Sequence, residues 1–142
     1  MITMLKETNL EARVWLDGEW VFKEQPTYRT ENEYYALKTL APMGFVPAVR
    51  RETADLLRIK YIRGTPIKDS EKVRAQAPVI LDRLLLEEVR HGDLTAVHVL
   101  VRRDRIFIID WAESRYLHDP RPDKRPEGDA YWLNRSLEEL CG

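Results

Sequence analysis

The sequence predicts an α+β fold: a strand-rich first half with a single helix, followed by a helical second half built around a β-hairpin. Three observations carry the prediction. Asp17-Gly18 separates two alternating runs, Ala12–Leu16 and Glu19–Glu24, as a two-residue hairpin turn does. Apolar residues recur at helical spacing in Thr30–Met43, crowd densely in the helix-length run Val79–Val89, and recur at helical spacing again in Asp129–Leu140. Between the last two lies His91–Glu113, HGDLTAVHVLVRRDRIFIIDWAE, in which two β-branched runs flank a polar Arg103-Asp104 turn.

In chain order, a turn centred on Asp17-Gly18 would pair Leu16 with Glu19, Trp15 with Trp20 and Val14 with Val21, because its two central residues need positive φ. One face then carries Ala12, Val14, Val21 and Lys23, while Trp15 and Trp20 stack on the other. By spacing alone, Lys23 reads as a lysine at a strand end, its stem on apolar surface and its ammonium in water. The helix Thr30–Met43 has Thr30 as its N-cap with Glu33 at the third position, a capping box, and Gly44 closes it. Glu33 has a second candidate role, reaching inward to Lys23.

Val46–Val49 and Asp55–Ile62 read as strands, and Arg63-Gly64-Thr65-Pro66 breaks the chain sharply as a hinge. A helix starts near Ser70 and is interrupted at Pro78, which suits the first position of a second helix. The Ile- and Leu-dense run Val79–Val89 reads as mostly buried. His118–Glu127, rich in Pro, Arg and Asp, is a surface loop. The closing helix presents Ala130, Leu133, Leu137 and Leu140 on one face.

With 142 residues the default is one domain, 1–142. A 44% hydrophobic and 33% charged composition is that of an ordinary globular protein and not of a disordered one. Net charge −1 gives no reason to expect direct nucleic-acid binding, and the arginine clusters 50–51, 102–105 and 121–125 read as solvated surface. The one cysteine, Cys141, forms no internal disulfide, which fits a reducing cytoplasm. No apolar run spans a membrane, and the first eleven residues lack a signal-peptide core.

Pairing the two runs of the central hairpin brings Asp93, just before the first, beside Asp110, just after the second. Two carboxylates aimed at one point repel unless a cation or proton lies between them. A divalent metal carrying phosphate is the commonest solution, and phosphoryl transfer uses it.

These residues resemble the protein-kinase-like fold. HGDLTAVH and IIDWAE are similar to that family's catalytic loop, H-x-D-L-x-x-x-N, and its metal-binding D-F-G. The His-Gly-Asp variant is that of aminoglycoside-phosphotransferase-like and atypical kinases. The threonine of HGDLT, with NLEARV, VFKEQPTYR, NEYYALKTLAPMGFVP, IKYIRG and GDAYWLNRSLEEL in order, resembles more narrowly the small atypical kinase subunit of the KEOPS tRNA-modification complex, with the RIO kinases as cousins. The resemblance implies a bilobal fold: a small β-rich N-lobe with one helix, residues 1–63, and a minimal helical C-lobe, residues 64–142.

It implies, too, an ATP-dependent serine/threonine phosphotransferase or ATPase using ATP with Mg²⁺ or Mn²⁺. Lys23 would hold the α- and β-phosphates with Glu33 paired to it, and Val14 and Val21 would roof the adenine. Asn9, Glu11 and Ala12 would form the nucleotide loop, and Tyr61 and Ile62 would offer backbone groups to the adenine edge. Asp93 would be the catalytic base and Asp110 the metal ligand, with His91 and Asp129 as structural supports.

The sequence departs from the pattern at several places. Asn9 stands where the family has a loop glycine, and D-W-A replaces D-F-G, so Ala112 removes a glycine's flexibility. His98 stands where the family has its second metal ligand, an asparagine: either it weakens one metal site and favours Mn²⁺, or it fills space beside a single metal at Asp110. The C-lobe helices that dock peptide substrates are lacking, so the exposed core would be covered by a protein partner or a second copy; Tyr131 and Trp132 are either part of such a patch or core residues. The alternatives are a pseudokinase that binds nucleotide without turnover and a small-molecule kinase of the aminoglycoside type, for whose helical insert there is no room.

Overall fold

Asp17-Gly18 does lie at a hairpin, but the strands pair two residues further along than the turn rule suggests. In the computed structural model, which describes residues 2–7 and 12–142, β1 spans Ile2–Glu7, β2 Arg13–Asp17 and β3 Trp20–Glu24. Leu16 faces Val21 and not Glu19, Trp15 faces Phe22, and Val14 faces Lys23. Of the turn residues only Gly18 has positive φ, 63°, so the central pair is Gly18-Glu19 with glycine first, as a type II′ turn requires. Because strand faces alternate with period two, Val14, Val21 and Lys23 still share one side. Trp15 stacks on Phe22 instead of Trp20, with centroids 5.6 Å apart and planes 8° from parallel.

The expected capping box does not form. Helix α1 begins earlier, at Thr27–Leu40, with Pro26 in extended conformation before it. Thr30 lies within the first turn and donates its hydroxyl to the Gln25 carbonyl, which frees Glu33 to point inward. Ala41–Met43 is a short 3₁₀ turn, and Gly44, at φ 80°, ends it as expected.

Strands β4 (Val49–Thr53) and β5 (Leu56–Lys60) complete an antiparallel sheet in the order β1-β2-β3-β5-β4. β4 starts three residues later than predicted, since Val46 precedes Pro47 and is held outside the ladder. Ala36, Leu37 and Leu40 of α1 are buried in one core cluster with Leu57 and Ile59 of β5.

After an extended stretch come α2 (Ser70–Arg74) and α3 (Gln76–Leu86). Asp69 caps α2 by accepting the Lys72 N–H at 3.1 Å. Pro78 sits at the third position of α3, not the first, where a missing N–H still costs nothing. Only one side of α3 is buried, at Ala77, Ile80 and Leu84, whereas Val79, Leu85 and Leu86 are exposed.

β6 (Val89–Arg90) pairs with β9 (Arg115–Tyr116), a short ladder the sequence did not signal. Between them β7 (Val99–Arg102) and β8 (Arg105–Ile108) form the predicted central hairpin, with both turn residues, Arg103 and Asp104, at positive φ. Helix α4 (Asp129–Cys141) buries Leu133, Ser136 and Leu137, but Ala130 and Leu140 lie outside the buried stripe. The overall architecture is a small antiparallel sheet with one helix, joined to a helical part that carries the hairpin.

Candidate active site

Lys23 is the centre of the site. It reaches from β3, buried, to the Glu33 Oε1 at 2.9 Å and to the Asp110 Oδ1 at 2.8 Å. Burial opposes its positive charge, but Glu33 and Asp110 together outweigh that cost and raise its pKa. Glu33, 1% exposed, also accepts from the Gln25 side-chain amide at 2.9 Å and from the Trp111 backbone N–H at 2.8 Å. One carboxylate on α1 thus joins β3 to the segment that carries Asp110.

Asp110 is held at φ 58°, a left-handed conformation uncommon for any residue but glycine. Its other oxygen lies 3.1 Å from the Nε2 of His98, whose Nδ1 is 2.7 Å from the Asp93 carbonyl oxygen. Both ring nitrogens face acceptors, an arrangement that favours the protonated ring. Burial works against that charge, but the hydrogen bond and charge of Asp110 raise the His98 pKa. Burial likewise opposes ionised Asp110, yet His98 and Lys23 hold its carboxyl far below the usual carboxylate range.

The support beneath the His91–Asp93 loop comes from Asp129 and His91. Asp129, at the start of α4, accepts from the backbone N–H of His91 at 2.7 Å and of Gly92 at 3.0 Å. His91 is buried, and desolvation lowers its pKa. As a neutral ring it donates Nε2–H to the Ile109 carbonyl at 2.9 Å and accepts the Asp93 N–H at Nδ1 at 3.1 Å. Loop and hairpin end are thereby fixed to each other, and Asp93 and Asp110 to one neighbourhood.

Asp93 is buried and does not lie open to the site. Arg125 Nε donates to its Oδ1 at 3.0 Å, and the Lys124 ammonium is 3.6 Å from its Oδ2. Both cations come from the His118–Glu127 loop, in the arginine cluster that composition assigned to solvated surface. The one signal that pointed to them was the cluster itself, because an irregular loop carries no periodicity to place its side chains.

Above Lys23 opens a cavity of about 870 Å³. Ala12, Val14, Val21 and Ile59 give it an apolar wall; Lys23, Glu33, His98, Asp110 and Lys124 lie at its polar end. Tyr61 and Ile62 line it as well, but the Tyr61 N–H is committed to the Glu19 carbonyl at 2.9 Å. Of the two, Ile62 is the residue whose N–H has no partner among the described residues. Asn9 and Glu11, expected in the nucleotide loop, lie outside the described residues.

No family model matches the sequence, and no curated protein matches it. Solved structures do. The Rio2 kinase of Chaetomium thermophilum, in an ADP/Mg²⁺-phosphoaspartate complex, superimposes over 96% of this chain with a TM-score of 0.64 at 14% identity. APH(2″)-IIa in a ternary complex with streptomycin and ATP matches over 94% of the chain with a TM-score of 0.59 at 13% identity, and ADP-bound aminoglycoside phosphotransferase APH(2″)-Ib matches over 94% with 0.58. The chain has a protein-kinase-like fold. It spans 53% of the Rio2 chain and 69% of each aminoglycoside phosphotransferase chain.

Within this kinase-like fold, the residues suit a divalent cation only in part. Mg²⁺ takes one or two carboxylates plus phosphate oxygens, and Asp110 offers one carboxylate at the cavity's polar end. His98 offers a nitrogen, better suited to transition metals, and only after losing its Nε2 proton. Among the described residues no group of three or more His, Cys, Asp or Glu is arranged to hold a metal without other donors.

The His98–Asp110 pair makes stability depend on pH in a stated direction. His98 has a folded pKa above its unfolded value of about 6.5, so its contribution is complete below that pH and is lost as pH rises through the folded value. Asp110, with its pKa lowered, contributes above about pH 4 and loses that contribution as pH falls. The unfolding free energy of the metal-free protein is expected to decline above pH 6.5, by no more than about 1.4 kcal/mol per pH unit. Urea unfolding of wild type and His98→Asn at intervals from pH 5.5 to 9 checks this: the decline should vanish in the variant, and an identical decline in both would refute it.

Proposed function

We propose that the chain is an ATP-dependent phosphotransferase or ATPase of the atypical serine/threonine-kinase type. The observation that carries the proposal is Lys23, bound at 2.9 Å to Glu33 and at 2.8 Å to Asp110 at the polar end of a cavity with an apolar wall. An adenine ring suits the wall of Ala12, Val14 and Val21, with the Ile62 N–H available to a ring nitrogen. Lys23 would exchange Asp110 for α- and β-phosphate oxygens while Glu33 keeps it aimed.

A divalent cation bound at Asp110 would supply neutralisation of phosphate charge. Asp93 would take the proton of the acceptor hydroxyl or water as its oxygen bonds the γ-phosphorus. The bond from that phosphorus to the β,γ-bridging oxygen breaks, and its electron pair leaves with ADP. Trp111, buried with its Nε1–H on the Ile108 carbonyl at 3.0 Å, would fix the Asp110 segment against movement. The sequence resemblance to the KEOPS kinase subunit favours ATPase or Ser/Thr-acceptor chemistry; an aminoglycoside-type acceptor has only the fold in its favour.

A second reading is a nucleotide-binding pseudokinase, favoured by His98, whose Nε2 lies 3.1 Å from the Asp110 carboxylate. Titration of ATP with Mg²⁺ or Mn²⁺ against the melting temperature tests the binding that both readings share. The wild type should be stabilised and Lys23→Met should not be. Absence of any nucleotide effect on the wild type would overturn both, whereas stabilisation without turnover would favour the pseudokinase.

A further inference from the structure

The two cations that cap Asp93 are held very differently. Arg125 is fixed by its Nε on the Asp93 Oδ1 at 3.0 Å, by its backbone N–H on the Gly92 carbonyl at 3.0 Å, and by its guanidinium 5.3 Å from the Trp132 ring centroid. Trp132 is itself anchored, donating Nε1–H to Glu127 at 3.0 Å. Among the described residues Lys124 has one ion-pair partner, Asp93 at 3.6 Å, and its side chain is 57% exposed. Arg125 is part of the frame, while Lys124 is free to swing.

Lys124 also lines the cavity, at the end that Lys23, His98 and Asp110 share. The other cations along that lining have partners of their own. Lys23 is shared between Glu33 and Asp110, Arg29 pairs with Glu113, and Lys60 pairs with Glu19 at 3.1 Å. An ammonium on a flexible stem, loosely held by a buried carboxylate beside the cavity's polar end, suits an exchange of one anion for another. Moving it to a phosphate would also take an ammonium away from the Asp93 Oδ2, the oxygen that Arg125 leaves untouched and that, among the described residues, keeps only the His98 Nδ1 nearby, at 3.8 Å.

Resting on the phosphotransferase reading above, we propose that Lys124 recognises the terminal phosphate of the nucleotide. It exchanges the Asp93 carboxylate for that phosphate on binding, so that the site prefers a nucleoside triphosphate to a diphosphate and exposes its base only when a triphosphate is present. Arg125 acts as a positioning residue that keeps the Asp93 carboxylate oriented throughout the exchange.

The test is a comparison of affinities by calorimetric titration, with the full chain at fixed Mg²⁺. The ligands are the non-hydrolysable β,γ-imido analogue of ATP and ADP; the proteins are wild type, Lys124→Ala and Lys124→Arg. Loss of one charge-assisted contact predicts that Lys124→Ala binds the triphosphate analogue about tenfold more weakly. Its ADP affinity should change by less than about twofold, and Lys124→Arg should recover most of the loss. An equal change for both ligands, or no change for either, would overturn the inference while leaving the nucleotide site standing. A wild type that binds neither ligand would overturn the inference together with the reading it rests on. An exposed position should leave the melting temperature of both variants unchanged, and a matched fall in melting temperature and in both affinities would assign Lys124 a structural role instead.

Discussion

Replacing Asp93 by asparagine is expected to lower ATP turnover by about 10²–10⁴-fold, the range a positioned general base contributes. The change is isosteric, and Arg125 Nε, at 3.0 Å from Oδ1, can still donate to the amide oxygen. What is lost is the basic oxygen and the negative charge that holds Lys124 at 3.6 Å. Nucleotide affinity should therefore stay level or rise, because Lys124 no longer has an anion to leave. Phosphate release from labelled ATP, measured beside nucleotide affinity in the same preparation, separates the two effects. A variant that loses affinity and turnover in parallel would show that Asp93 supports the fold of the loop and not the chemistry.

The largest effect on stability is expected at Glu33. Truncation to alanine strands three buried donors, the Lys23 ammonium at 2.9 Å, the Gln25 amide at 2.9 Å and the Trp111 N–H at 2.8 Å. Removing one partner of a buried ion pair costs about 3–5 kcal/mol, because an uncompensated charge stays behind. Lys23 keeps Asp110 at 2.8 Å, which moves the expectation to the lower end of that range. Against a typical domain stability of about 5–15 kcal/mol the loss is severe. Glu33→Gln should cost less, since its amide oxygen still accepts the Trp111 N–H. Urea denaturation checks the ranking, wild type above Gln above Ala; an alanine variant as stable as wild type would contradict the claim that this carboxylate joins the sheet to the Asp110 segment.

What was legible in the sequence follows from the physics of each element. The face that carries Val14, Val21 and Lys23 survived a wrong register because strands alternate with period two and the error was a shift of two. The central hairpin was clear since its turn residues, Arg103 and Asp104, sit between two β-branched runs. α1 was misread at its start: Thr30 and Glu33 have the spacing of a capping box, and only the tertiary pull of Lys23 and the Gln25 carbonyl shows that each has another partner. The raised pKa of His98 was out of reach as well, because it depends on two acceptors, the Asp93 carbonyl and Asp110, that the fold brings to opposite ring nitrogens. Lys124 and Arg125 lie in a loop without periodicity, and nothing local in the sequence sets them over Asp93.

The central claim is that Lys23, Glu33, Asp93 and Asp110 form one phosphoryl-transfer site. It is tested most directly by measuring phosphate released from, or transferred out of, labelled ATP by the purified chain with Mg²⁺ and with Mn²⁺, wild type beside Asp110→Ala. Metal-dependent turnover by the wild type that is abolished in Asp110→Ala is the predicted result. Absence of turnover with either metal, or turnover that survives the loss of Asp110, would contradict it.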